Sequence, residues 1–207
     1  MKVLVAASFI FLSSQAMSET ITDTMPRISS KKVVTILPTG ETVLLIKSGK
    51  ETNGEYAEFE VTLPPGKPGP PLHKHPLQSE HFIAVEGTLT LMADGKKVQL
   101  NPNETFTVKP GVTHAFSNET NDTLRWRAII KPALNFEYLS EETVEAVNRA
   151  YPQMPSSYEL VYILAQAKGE YYLADKSMFT QKVLWPVKAF WGKITGKVKQ
   201  VRRRRDA

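Results

Sequence analysis

Three histidines and one glutamate constrain the fold of this chain most, because only a compact arrangement can bring their side chains together. His73, His75 and Glu80 lie within eight residues, and His114 is the only histidine after His81. Imidazole and carboxylate ligands suit a divalent ion such as Fe(II), Mn, Ni, Cu or Zn. His73 and His75 share one face of a β-strand, and Glu80 can join them if a turn or bulge resets the alternation. We therefore predict a β-rich fold with one metal ion at His73, His75, Glu80 and His114.

The residues around these four side chains form two recognisable motifs. His-x-His-x4-Glu is followed by six residues and then a glycine, and the second segment reads Lys-Pro-Gly-Val-Thr-His-Ala-Phe-Ser-Asn. The chain here resembles the cupin superfamily, whose motifs are G-x5-H-x-H-x3,4-E-x6-G and G-x5-P-x-G-x2-H-x3-N. The matching residues are His73, His75, Glu80 and Gly87 in the first motif, and Gly111, His114 and Asn118 in the second.

The chain departs from the two cupin motifs at three positions. No glycine stands in register at the start of the first motif, Asn103 replaces the usual glycine of the second, and Lys109 replaces the usual proline. Asparagine tolerates the left-handed backbone region better than most residues, so we expect Asn103 to adopt it. All four ligand positions are intact, and the resemblance therefore implies a metal-bound protein.

Short strand-like segments separated by turns predict an all-β barrel or sandwich. A Pro/Gly-rich loop spans residues 64–71, and Asp94-Gly95 indicates a hairpin turn. The resemblance specifies the fold as one double-stranded β-helix, the cupin jelly-roll barrel, over residues 31–133. The predicted strands are 32–37, 42–48, 56–63, 82–92, 98–100, 105–108, 113–117 and 124–130.

Residues 134–181 change to a helical pattern and form a predicted C-terminal helical extension. Leu139, Val144 and Val147 repeat with a helical period behind the start signal Ser140. Ser156 and Glu159 fit a capping box before a second helix. We expect these helices to cover one face of the barrel or to form a homodimer contact.

The last segment, residues 182–207, is a predicted basic amphipathic tail. It holds nine Lys/Arg and one Asp, a net charge of +8, whereas the whole chain carries +5. Pro186 suits a helix start, and a basic amphipathic helix with tryptophan is typical of a membrane surface. The alternative is a helix docked on its own barrel, and nucleic acid is not an expected partner. The predicted apolar face comprises Val187, Phe190, Trp191, Ile194, Val198 and Val201.

The N-terminus resembles a secretory signal peptide. Lys2 precedes an apolar run over residues 3–12, and Ala16 and Ser18 have the spacing of a cleavage site. Residues 1–18 are therefore the predicted signal peptide, and residues 19–30 a flexible N-terminal segment. We expect an exported protein, secreted or periplasmic, and the basic tail suggests association with a membrane surface. The chain has no cysteine, so disulfides and thiolate metal sites are excluded.

A site of three histidines and one glutamate leaves coordination positions for a small-molecule substrate. Glu80 can serve as a ligand and as the catalytic acceptor of a substrate proton. Residues 69–75 and 82–87 resemble small quercetin 2,3-dioxygenase-like cupins, which implies an oxidoreductase of dioxygenase type acting on a phenolic or enolic compound. The alternatives are a redox-neutral isomerase, lyase or decarboxylase, and a non-catalytic metal-binding or ligand-binding barrel. Alternation along the strand places His81 on the opposite face, away from the metal.

Overall fold

A computed structural model describes residues 33–198 and Val201, and this part of the chain forms two antiparallel sheets followed by helices. The predictions for the signal peptide, for residues 19–30 and for Arg202–Arg205 lie outside the described residues. In chain order the strands are β1 Val33–Ile36, β2 Glu41–Lys47, β3 Ala57–Leu63, β4 His73–Lys74, β5 Ser79–Glu86, β6 Leu89–Ala93, β7 Lys96–Leu100, β8 Thr105–Val108, β9 His114–Ser117, β10 Leu124–Lys131 and β11 Tyr172–Leu173.

The two sheets enclose one hydrophobic core. The first sheet has the order β1-β2-β3-β10-β5-β8, and the second has the order β11-β4-β9-β6-β7. Strand β3 confirms the strand predicted over 56–63, and it buries Phe59, Val61 and Leu63 in alternation. Trp126 of β10 and Leu91 of β6 are fully buried from opposite sheets. Each such side chain contributes roughly 1.5–3 kcal/mol by leaving water, so the core holds the two sheets face to face.

The predicted strand over residues 82–92 is two strands in the structure. Gly87 has φ +72°, and a Cβ there would lie 2.7 Å from the backbone oxygen of Thr123, so this position requires glycine. The bend ends β5 in the first sheet and lets β6 begin in the second. Positive φ values at Asn103 (72°), Asp94 (51°) and Gly95 (70°) confirm the predicted left-handed residue and the hairpin turn between β6 and β7.

Three α-helices follow the sheets, and one short strand lies among them. They are α1 Phe136–Ala150, α2 Ser157–Gln166 and α3 Trp185–Ile194, which a π-helical segment, Thr180–Leu184, precedes. The predicted capping box is confirmed, because the Glu159 backbone N–H donates to Ser156 Oγ at 3.2 Å and the Ser156 N–H donates to Glu159 Oε2 at 3.2 Å. Helix α1 begins before the predicted start signal Ser140. Strand β11 was not predicted, and it pairs with β4.

The predicted apolar face of the tail divides into two parts. Helix α3 ends at Ile194, and Gly196 with φ +69° turns the chain. Val198 and Val201 then pack on a cluster formed by α2 and α3, whereas Phe190 and Trp191 remain exposed. No helix within residues 33–198 is long and apolar enough to cross a membrane.

Candidate metal centre

The four predicted ligand side chains lie together between the two sheets. One ligand atom from each of His73, His75, Glu80 and His114 lies within 4.8 Å of the others. His73 and His114 are opposite each other on β4 and β9 of the second sheet, and Glu80 faces them from β5 of the first. Each of the four residues is 6% exposed or less. The cluster is therefore a polar site inside an otherwise apolar core.

A turn between β4 and β5 brings Glu80 onto the same side as His75. Pro76 and Leu77 form a bend outside the strands, so the side-chain alternation restarts after them. Gln78 is buried behind the bend, and its Nε2 donates to the backbone oxygens of Pro132 (3.1 Å) and Ala133 (3.0 Å). These two hydrogen bonds hold the segment in which the chain passes from β4 of the second sheet, just before His75, to β5 of the first sheet, with Glu80.

The loop before β9 is tied directly to the first motif. The backbone N–H of Gly111 donates to the carbonyl of His75 at 2.8 Å, and Gly111 has φ +81°. The loop then delivers His114 beside His73, with ring centroids 4.4 Å apart. Asn118, which closes the second motif, is buried and donates from Nδ2 to Leu63, Pro64 and Asp122 carbonyls. Its role in this structure is to hold the loop.

Backbone carbonyls fix the tautomer of all three histidines. The Nδ1 atoms of His73, His75 and His114 lie 2.8, 3.2 and 3.0 Å from the carbonyl oxygens of Pro71, Glu170 and Val112. A carbonyl oxygen only accepts, so each Nδ1 carries the hydrogen and each Nε2 is the atom left for other partners. Metal-binding histidines are oriented in this way by a hydrogen bond from the second ring nitrogen.

The polar atoms at the centre of the cluster are incompletely paired within the protein. His75 Nε2 is buried without a hydrogen-bond partner, at 3.7 Å from Glu80 Oε2. His114 Nε2 lies 3.0 Å from the same oxygen. An unsatisfied buried nitrogen costs about 1–3 kcal/mol, and a cation between these atoms would satisfy it. The donor set therefore fits a divalent ion, and the four residues could hold one.

The environment keeps two of the imidazoles neutral. Burial, reinforced by the neighbouring histidines, lowers the pKa of His73 to about 3, and burial with the charge of His114 lowers the pKa of His75 to about 3. Burial also opposes protonation of His114, but its hydrogen bond to Glu80 and the charge of Glu80 outweigh it and raise the pKa of His114. Two imidazoles are thus in the neutral form that binds a metal at neutral pH, whereas protonation of His114 would compete with metal binding.

The helical extension supplies residues of the site that the sequence analysis missed. The ring of Tyr171 stacks on His73 with centroids 4.6 Å apart and an interplanar angle of 17°. Phe136 of α1 meets His75 edge to face at 5.5 Å. The carbonyl of Glu170 holds His75, and its carboxylate accepts from the N–H and Nδ2 of Asn135. A Gly-Glu-Tyr-Tyr run at residues 169–172 was a signal for a turn and a short strand.

His81 lies on the opposite face of β5, as predicted. Its Nδ1 is 2.7 Å from Thr107 Oγ1 on β8, at an exposed position. A cavity of about 420 Å³ also opens away from the ligands, on the outer face of β4, and its lining includes Lys74 and Lys182. Because Lys74 alternates with His73 along β4, this basic cavity and the ligand cluster lie on opposite sides of the strand.

A model of the cupin domain family matches residues 59–130. Residues 59–130 form a cupin domain. All four ligand side chains lie within this domain, whereas Phe136, Glu170 and Tyr171 lie after it in the sequence. The extension therefore adds contacts to a centre whose ligands belong to the cupin domain.

Several solved structures are similar to about half of this chain. One from Thermotoga maritima, described as a predicted oxalate decarboxylase, is 20% identical over 50% of this chain and 92% of its own, with a TM-score of 0.45. KdgF from a Halomonas species is 18% identical over 49% of this chain and 87% of its own, with a TM-score of 0.42. A cupin-superfamily sugar phosphate isomerase from Silicibacter pomeroyi is 23% identical over 52% of this chain and 71% of its own, with a TM-score of 0.42. No curated protein matches the chain.

Proposed function

We propose that this protein is a single-metal enzyme of dioxygenase type that acts on a small phenolic or enolic compound. The proposal includes closure of the two sheets into a double-stranded β-helix around the site. One observation carries the proposal: three imidazoles with fixed tautomers and one carboxylate converge on a buried point. An Fe, Mn, Ni or Cu ion there would supply one-electron chemistry with dioxygen, and Zn would supply Lewis acidity alone.

Glu80 is the residue that we assign to proton transfer. Its Oε2 is shared between His114 at 3.0 Å and His75 at 3.7 Å. A substrate hydroxyl that reaches this oxygen can pass its proton to it, and a divalent ion held by the four residues would make that hydroxyl more acidic by withdrawing charge from its oxygen. Glu80 thus has two tasks in the proposal, as ligand and as acceptor of the enol proton.

Tyr171 and Phe136 favour a flat substrate. Both rings touch histidines of the cluster, Tyr171 by stacking and Phe136 by its edge. Burial and the charge of Glu80 raise the pKa of Tyr171, so its phenol keeps its hydrogen at neutral pH and can donate it to a substrate. A substrate ring that enters beside Tyr171 would exchange one aromatic contact for another, with little loss of packing.

Glu80 and Tyr171 together support a second candidate, a redox-neutral isomerase, lyase or decarboxylase. A carboxylate that accepts a proton and a phenol that donates one are the groups needed to move a proton between two atoms of a substrate. Tyr171 stacks on His73, and a ligand atom of His73 lies within 4.8 Å of one of Glu80, so both groups border the same centre. This reaction would use the ion for its charge and would consume no oxygen.

Oxygen uptake separates the two candidates. The protein is stripped with a chelator, reloaded in separate samples with Fe(II), Mn, Ni, Cu or Zn, and offered a panel of enols and phenols in an oxygen electrode. The proposal expects uptake in stoichiometric ratio to substrate loss with at least one redox-active ion and none with Zn. Substrate conversion that is equally fast without oxygen would replace the proposal with the second candidate.

Variants at Glu80 and Tyr171 show which groups act in the reaction. Glu80→Gln should lower kcat by about 100-fold or more, in the range of a lost general base, at metal contents matched by loading. Tyr171→Phe keeps the stacked ring and loses only the hydroxyl. It should leave oxygen-dependent turnover within a few fold, but it should strongly slow a reaction that needs the phenol as a proton donor.

A further inference from the structure

The outward side of the last helix is apolar along its whole length. Side chains at helical spacing from the π-helical segment through α3 are each 45 to 64% exposed. Residues three and four apart share one face of a helix, so these side chains form a single stripe. Monomeric soluble proteins rarely expose such a surface unless something covers it. The outer stripe, as we call it, comprises Phe179, Val183, Val187, Phe190, Trp191 and Ile194.

The opposite side of α3 is already docked on the protein. Ala189 and Gly192 are buried there, and a Cβ at Gly192 would lie 2.9 Å from Tyr158 of α2. Small residues therefore let the two helices approach closely. This contact fixes the direction of the outer stripe, which points away from α2 and from the sheets.

Cations border the outer stripe on its α2 side. Lys188 Nζ lies 4.9 Å from the ring centre of Tyr158 and donates to Ser157 Oγ at 2.8 Å. Lys193 Nζ donates to the hydroxyl of Tyr162 at 3.2 Å. No Asp or Glu occurs between Asp175 and Asp206, and Arg202–Arg205 follow α3 in the sequence. The partner that covers the stripe should therefore be apolar in its interior and negatively charged at its surface.

We infer that the outer stripe is an attachment surface for an anionic lipid membrane. A bilayer with acidic headgroups matches both features, because aromatic and aliphatic side chains enter the boundary of the acyl chains while lysines and arginines meet the headgroups. No helix within residues 33–198 can span a membrane, so the attachment is along the surface. One amphipathic helix buries only a small apolar area in the bilayer, so we expect binding to be reversible. The contribution of the charged headgroups should weaken as salt screens it.

Charge argues for lipid over a second copy of this chain. Two copies that met through their outer stripes would bring Lys188 and Lys193, which border the stripe, close to those of the partner copy. Like charges at short range oppose such a contact, and no acidic side chain in this segment offsets them. An anionic membrane gains from the same charges.

Co-sedimentation with vesicles tests the inference on the full chain. Vesicles of phosphatidylcholine alone are compared with vesicles that also contain phosphatidylglycerol, at low and at high salt. We expect binding to the anionic vesicles that weakens with salt, and quenching of Trp191 by lipids brominated on their acyl chains. Trp126 is fully buried in the core and should stay unquenched.

Substitutions on two surfaces identify the attachment face. Phe190→Glu with Trp191→Glu should weaken vesicle binding at least tenfold. The matched control, Leu37→Glu with Met154→Glu, adds the same charge at exposed apolar residues elsewhere and should change binding only by the salt-sensitive part. Replacement of Arg202–Arg205 by glutamine should weaken binding and flatten its salt dependence.

Three results would overturn the inference. The first is an equal loss of binding in the outer-stripe variant and in its control, and the second is no binding to any vesicle. The third is a dimer in sedimentation velocity that the Phe190→Glu, Trp191→Glu variant converts to monomer while vesicle binding stays absent, which would assign the stripe to a second copy.

Discussion

The ligand cluster and the outer stripe of α3 depart from the usual distribution of side chains in opposite directions. The cluster buries three imidazoles and a carboxylate between two sheets. The stripe exposes six large apolar side chains on a helix. Burying polar groups and exposing apolar ones both cost free energy, so each region indicates a partner that the protein alone does not supply.

The two regions differ in how much of that cost the protein itself offsets. In the cluster, three backbone carbonyls satisfy the Nδ1 atoms, and only the Nε2 side remains underpaired. On α3 nothing in the described residues covers the outer stripe, and only the inner face is packed. The cluster therefore restricts its partner by the direction of fixed ligand atoms, whereas the stripe restricts its partner only by polarity and charge.

The largest expected effect is loss of the metal. His73→Ala or His114→Ala removes one of four ligands from a preformed site and should weaken metal binding by about 100-fold or more. Elemental analysis of protein purified without added metal checks this, with one ion per chain expected in the unsubstituted protein.

His81→Ala is the matched control for the ligand variants. It removes the histidine that follows Glu80 in the sequence. His81 lies on the outer face of β5 and forms a hydrogen bond with Thr107 of β8. The metal content of this variant should equal that of the unsubstituted protein. If His81→Ala lost as much metal as the two ligand variants, the ion would be held by histidines in general, and the comparison of the two regions would fail.

Acid should destabilise the metal-free protein through the cluster. The pKa values of His73 and His75 fall from 6.5 to about 3 on folding, so the unfolded chain takes up these protons first as pH decreases. The free energy of unfolding that these two groups contribute therefore falls from about pH 6.5 towards pH 3, by up to about 1.4 kcal/mol per pH unit for each group. Urea unfolding of chelated protein across this range measures the slope.

A His75→Gln variant isolates the contribution of one imidazole. Its unfolding free energy should lose less with acid than that of the unsubstituted protein, because one proton-uptake site is gone. His114 acts in the reverse direction, since its raised pKa stabilises the fold below pH 6.5 and loses that effect as pH rises through the raised value. Parallel slopes for the two proteins would show that His75 is not held neutral.

Much of the ligand cluster could be predicted from the sequence because its signals are local. The spacing of His73 and His75, the residue types, and the second motif around His114 each restrict the chain within a few residues. The same holds for the capping box at Ser156 and for the left-handed residue Asn103, both confirmed. Such features depend on the backbone nearby and little on the rest of the fold.

Contacts between distant segments could not be predicted in this way. Tyr171 and Glu170 reach the cluster only because β11 pairs with β4, across about a hundred residues of chain. A two-residue strand between helices has too few side chains to show an alternation. The break at Gly87 was missed for a related reason, because apolar residues continue on both sides of it while the chain changes sheets.

Glu41 provides a buried carboxyl without the compensation seen in the cluster. Burial raises its pKa from 4.5 to about 7, so the folded protein keeps a proton that the unfolded chain has lost between these values. The contribution of the protonated Glu41 carboxyl to the free energy of unfolding is therefore fully present below pH 4.5, and it is lost as the pH rises to about 7. Glu41→Gln should therefore raise the free energy of unfolding by up to about 3 kcal/mol above pH 7 and change little at pH 4.

Denaturation at the two pH values checks the Glu41 prediction. A gain that is equal at pH 4 and pH 8 would mean that glutamine improves packing and that the carboxyl is not strained by burial. Glu58→Gln on the neighbouring strand is a suitable control, because Glu58 forms a more exposed ion pair with Arg127. Exposed pairs contribute about 0–1 kcal/mol, so this variant should show no comparable gain.

The smallest effects separate the two faces of α3. Gly192→Val places new carbon atoms against Tyr158 at 2.9 Å and Val198 at 3.0 Å, and overpacking of this kind costs about 1–3 kcal/mol. Phe190→Gln on the outer stripe changes an exposed side chain and should alter the free energy of unfolding by less than about 0.5 kcal/mol. Thermal unfolding without lipid measures both. A large destabilisation by Phe190→Gln would mean that the outer stripe is packed within the protein in solution, whereas a neutral result with a loss of vesicle binding assigns the whole contribution of Phe190 to the membrane.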